Sequence, residues 1–139
     1  MEYKGYEVIR SDDERLAEFY EVKANIFNLL ENQYLLVEDL HGKLADSYVW
    51  QNGTFRKVGY TKIGNDFTGV VKPRNAQQEV LFDMLVDKQS TVKLVTGGFG
   101  CGKTMSLVVA ALDAISKGRF EKIIWVRNNI EVKDTTPLG

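Results

Sequence analysis

The sequence predicts an α/β fold in two parts: a helix with a small antiparallel β meander, then an incomplete βαβ core. Three observations carry this. Apolar residues recur at helical spacing between Leu16 and Leu30. Residues 33–63 break into short aromatic and β-branched runs with turn residues between them. Residues 91–127 run in the order strand, glycine loop, apolar helix, strand.

Taken in order, Tyr6–Arg10 is a short strand. Ser11 and Glu14 have the spacing of a capping box, Ser at the cap and Glu three residues on. A helix is then expected to about Leu30, with Leu16, Phe19, Tyr20, Val22, Ile26, Phe27 and Leu30 on one face. The runs QYLLVED, LADSYVW and GTFRKVGY are the meander strands. Asn52-Gly53 marks a tight hairpin, because both turn residues must take positive φ. Gly64–Gly69 reads as a loop and Thr68–Lys72 as a further strand.

Pro73 closes that part, which places one domain at 1–72 and a second at 73–139. Asn75 can cap a helix to about Asp87 that buries Val80, Leu81, Met84 and Leu85. Strands are expected at Thr91–Thr96 and Lys122–Arg127. They flank a helix from Lys103 to about Lys117 that ends at Gly118. With a helix crossing between them, the two strands should be parallel.

Composition narrows the function classes. A net charge of −1 excludes a global polycation for nucleic acid. The single cysteine, Cys101, rules out an internal disulfide and fits a reducing compartment, hence the cytoplasm. No apolar run approaches the ~18–20 residues that span a bilayer.

The chemistry lies in Gly97–Thr104, GGFGCGKT, which fits the phosphate-cradle pattern G-x-x-x-x-G-K-[ST]. Gly97, Gly98, Phe99, Gly100, Cys101 and Gly102 would wrap backbone amides round phosphate, and the following helix N-terminus would continue that nest. Lys103 should reach the β- and γ-phosphates of ATP, and Thr104 should place its hydroxyl on Mg²⁺. The core is therefore expected to be that of a P-loop NTPase, with Lys103 and Thr104 as its catalytic pair.

Cys101 is either a small tolerated residue or a thiol acidified by the helix start and Lys103. On the second reading, bound nucleotide would slow its alkylation. Gln77 and Gln78 could read an adenine edge through a carboxamide, or could sit on a solvated helix face. Arg127 could meet phosphate, nucleic acid or a nearby acid. Tyr34, Tyr48, Trp50, Phe55 and Tyr60, among Lys43, Arg56, Lys57 and Lys62, could stack and track RNA, or could form a core. His41 has no metal-ligand partners at suitable spacing and reads as a turn residue.

With these residues in view, 71–127, VKPRNAQQEVLFDMLVDKQSTVKLVTGGFGCGKTMSLVVAALDAISKGRFEKIIWVR, resembles the start of the ATPase domain of the phosphate-starvation-inducible PhoH-like family. Residues 32–58, NQYLLVEDLHGKLADSYVWQNGTFRKV, are similar to the connecting region of the subgroup that fuses a PIN nuclease to that ATPase. The resemblance implies ATP and Mg²⁺ binding, hydrolysis, kinship with superfamily 1 helicases and a link to RNA. By position, Gln78 resembles the family's adenine-reading glutamine and Arg127 its strand-end arginine. Gly98, Phe99 and Cys101 depart from the family's Pro, Ala and Thr, and Asn128 stands where proline is frequent.

After the cradle no strand ends in adjacent acids, and there is no later arginine finger. The chain is thus expected to be an internal piece of a longer ATPase that binds nucleotide weakly and hydrolyses it slowly. The alternative is an RNA- or protein-binding meander with a vestigial nucleotide site. Two parallel strands round one helix leave open edges, so a homo-oligomer or swapped dimer is expected, or the N-terminal helix packed over the gap.

Overall fold

The structure is a computed structural model that describes residues 3–97 and 102–127. The first elements are β1 (Tyr6–Arg10), α1 (Arg15–Val22), β2 (Tyr34–Glu38), β3 (Leu44–Gln51) and β4 (Thr54–Lys57). A hairpin of β5 (Ile63–Asn65) and β6 (Gly69–Val71) follows, then α2 (Ala76–Val86) and α3 (Lys103–Ser116).

The main sheet has the order β1-β2-β3-β4. β2, β3 and β4 form the expected antiparallel meander. Its tight turn has Asn52 at φ 53° and Gly53 at φ 75°, the left-handed pair that the Asn-Gly step favours. β1 adds to β2 in parallel, with Tyr6 opposite Tyr34. A parallel βαβ unit therefore exists, but it is β1-α1-β2, at the opposite end of the chain from the cradle.

Both faces of this sheet are covered, which explains why Tyr34, Leu35, Leu36 and Val37 are all buried. Successive strand residues point to opposite faces. Leu35 and Val37 pack with Ile9, Leu16, Phe19 and Leu29 on the α1 side. Tyr34 and Val49 meet Val80 and Met84 of α2 on the other. Phe19 is fully buried and makes edge contacts with Tyr48 (5.1 Å) and Phe55 (4.9 Å). Its burial contributes about 1.5–3 kcal/mol.

Four expectations are corrected. The first helix ends at Val22, with Lys23 left-handed at φ 56°. Asn25 explains the stop. Its Oδ1 accepts from the Leu29 N–H (2.8 Å) and its Nδ2 donates to the Leu29 carbonyl (2.9 Å), a local turn that competes with helix. That turn still delivers Ile26, Phe27 and Leu29 to the core. Second, Ser11 does not cap α1. The Asp13 carboxylate accepts the Arg15 N–H (2.9 Å) and pairs with its guanidinium (2.7 Å). These bonds hold the Asp13 carboxyl down at about 2.

Third, among the described residues neither 92–97 nor 122–127 forms a strand. A parallel ladder needs neighbours and cover on both faces. These two segments lack both, and Leu94 (84% exposed) and Val126 (85%) lie bare. The βαβ core expected at the cradle is therefore not assembled. Nor does α1 cover the gap, since its buried residues, Leu16 and Phe19, pack on the sheet. Fourth, of the five meander aromatics only Tyr60 is exposed, and the other four are not a free platform. Tyr34 and Tyr48 are buried, and Trp50 and Phe55 pack against the α1-side core.

α2 is covered on two sides rather than one. Val80 and Met84 face the sheet, while Leu81, Phe82 and Leu85 join Ile63 and Val109 in a second cluster. α3 packs on that cluster through Val109 and Ala110. It ends as expected: Gly118 at φ 73° lets its N–H reach the Ile115 carbonyl, while the Arg119 N–H reaches that of Ala114.

Candidate functional site

Gly102 enters α3 at φ 81°, a conformation that suits glycine. The first α3 backbone bond runs from the Ser106 N–H to the Gly102 carbonyl (2.9 Å). The first turn of α3 therefore carries Lys103 and Thr104 at the positive end of the helix dipole, which favours an anion. Lys103 Nζ donates to the Gly97 carbonyl, which ties the two ends of the glycine loop together. Thr104 is exposed in the first turn of α3. Its hydroxyl is a hard oxygen of the kind Mg²⁺ takes, so the pair fits a Mg²⁺–nucleotide. Gly98, Phe99, Gly100 and Cys101 lie outside the described residues, and so do the expectations made for them.

A cleft of about 740 Å³ opens from this point along α2. Gly97 and Lys103 line it at one place, and Gln77 and Gln78 at another. The structure thus brings Gln78 and the cradle lysine into one cavity. Gln78 also serves the helix start: its N–H donates to Asn75 Oδ1 (2.9 Å) and its Oε1 accepts from the Arg74 N–H (2.7 Å). A carboxamide oxygen has a second lone pair and its nitrogen two donors, so capping leaves capacity to read a base edge. Asn75→Ala should therefore cost about 1 kcal/mol of stability by urea unfolding. A change within 0.3 kcal/mol, taken as about the error of such measurements, would show that the cap is idle. Arg127 is exposed and is not part of the cleft lining.

The polar network that joins the sheet to α2 was not anticipated. Asp83, buried on α2, accepts from Tyr34 Oη (2.7 Å) and from both terminal nitrogens of Arg56 (2.9 and 2.8 Å). Arg56 Nε donates to Gln51 Oε1 (3.2 Å). Gln51 Nε2 donates to Asn32 (3.0 Å) and Asp87 (2.9 Å). Burial first, then the Asp83 hydrogen bond, pushes the Tyr34 hydroxyl far up. Burial raises Asp87, but hydrogen bonds from Gln89, Gln51 and Ser90 outweigh it and leave the carboxyl below its usual value. Lys93 donates to the Leu85 carbonyl (3.0 Å) and the Asp87 carbonyl, and burial lowers it. One signal existed in the sequence: Asp83 is a lone charge inside the apolar run VLFDMLV.

A lysine–threonine pair opening a helix behind a left-handed glycine, beside a cleft, has the features of the P-loop nucleotide-binding class. The family model described as PhoH-like protein matches residues 70–139. The chain belongs to the PhoH-like family, and its function is P-loop ATPase-related. Neither a curated protein nor a solved structure matches it. The match starts at β6, so the main sheet precedes it. Among the described residues no helix is long and apolar enough to cross a membrane.

Proposed function

We propose that this chain binds ATP with Mg²⁺, with Lys103 and the loop Gly97–Gly102 on the phosphates, Thr104 on the metal and Gln78 at the adenine. The observation that supports this most is one cleft lined by Gln78, Gly97 and Lys103 together. Hydrolysis is expected to be slow, because the sequence of residues 105–139 holds no adjacent acids to position water. Isothermal titration with Mg²⁺-ATP should give saturable binding with a Kd below about 1 mM, a free energy more negative than about −4 kcal/mol. No heat of binding at millimolar ATP would overturn the reading.

The same reading treats 1–72 as a connecting unit and 73–139 as ATPase sequence, in a cytoplasmic protein of RNA metabolism whose relatives include PIN fusions. Those parts rest on the resemblance of residues 32–58 and 71–127. The bare side chains of Val92, Leu94, Ile124 and Val126 favour pairing with a second copy as a homo-oligomer or swapped dimer. Light scattering that returns a monomer mass would refute the pairing.

A further inference from the structure

The lining of the cleft comes from distant parts of the chain, two of which matter here. One is α2, with Val80, Leu81 and Met84, running to Gly97 and Lys103. The other comes from the start of the chain and includes Tyr3, Gly5 and Tyr6. Tyr6 is committed to packing: it sits opposite Tyr34 in the parallel ladder and joins the cluster with Val80 and Met84. Tyr3, three residues earlier, lines the same cleft but stays 59% exposed. An exposed aromatic ring in a cleft whose lining also includes aliphatic side chains offers its face to a flat aromatic ligand.

We infer that Tyr3 stacks on the base of the bound nucleotide, so that the N-terminal β unit supplies one wall of the site. This rests on the ATP-binding reading and extends it. The phosphate end of the ligand is set by Lys103 and Gly97, and the edge of the base by Gln78. A face of the base then falls to Tyr3. Base–aromatic stacking tolerates any base, because every base has a π face. Tyr3 therefore contributes affinity for nucleotides over bare phosphates, and Gln78 contributes the choice of adenine.

The test uses the whole chain and two probes, Mg²⁺-ATP and inorganic tripolyphosphate, each titrated calorimetrically. Tyr3→Ala should weaken ATP binding about 10-fold or more, the range that stacking on one base supplies, and leave tripolyphosphate unchanged. Tyr3→Phe, which keeps the ring, should bind ATP as the wild type does. Lys103→Ala should weaken both probes. If Tyr3→Ala leaves ATP affinity unchanged, or weakens both probes equally, the stacking role is wrong while the phosphate site stands. If the wild type binds neither probe, the ATP reading fails and the stacking role falls with it.

Discussion

Replacing Lys103 by alanine is expected to raise the Kd for Mg²⁺-ATP about 10- to 100-fold, with little change in the melting temperature. A hydrogen bond to a charged group contributes about 1.5–3 kcal/mol. At 1.4 kcal/mol per decade of affinity, that is the stated range. Lys103 is half-buried at the first position of α3 and donates to the Gly97 carbonyl. Losing it frees a loop carbonyl near the surface, which water can satisfy, so the fold should tolerate the change. Calorimetric titration measures the first quantity and thermal unfolding by circular dichroism the second. An unchanged Kd would show that the glycine loop is a turn and not a phosphate site. A collapse of the melting temperature would show that Lys103 works mainly as a structural tie.

The second large effect is expected at Asp83. Its side chain is 7% exposed and binds Tyr34 and both terminal nitrogens of Arg56. Asp83→Ala would leave a buried tyrosine hydroxyl without its acceptor and a guanidinium without its counter-ion. Breaking a buried pair by removing one partner costs about 3–5 kcal/mol. The Arg56 side chain is 40% exposed, so water recovers part of this and the expected loss is about 2–4 kcal/mol. Asp83→Asn should cost less, since the amide oxygen still accepts. Urea unfolding at neutral pH decides it, and a loss under 1 kcal/mol for Asp83→Ala would mean that the network is not what joins the sheet to α2. Acid should loosen the same junction. The Asp87 carboxyl lies below its usual value. The stability it contributes is complete above the ordinary carboxylate range and is lost as pH falls through its lowered folded value.

Local chemistry was legible in the sequence wherever a few adjacent residues decide it. Asn52-Gly53 turns as read, because only the backbone of those two residues is at issue. Asn75 caps α2, and Gly118 ends α3, for the same reason. The first helix is shorter than its spacing predicts, because the apolar pattern continues to Leu30 while Asn25 diverts the backbone. Periodicity cannot tell a helix from a turn that buries the same residues. The aromatic meander had two readings, platform or core, that differ only in what covers it. Phe19 settled that by packing its ring against Tyr48 and Phe55.

The sequence by itself determined the cradle pattern, the glycine at the mouth of α3, the Asn75 cap, the Asn52-Gly53 turn, and the PhoH-like resemblance that the family match at residues 70–139 bears out. These depend on contacts a few residues apart. Only the tertiary structure decided that the parallel βαβ unit lies at β1-α1-β2, that segments 92–97 and 122–127 stay unpaired, and that Asp83 locks Arg56 and Tyr34 across the junction. It also decided that Tyr3 and Lys103, a hundred residues apart in sequence, line one cleft. Strand pairing, burial of a charge and the walls of a cavity are each set by what a distant segment brings. No local pattern encodes that partner.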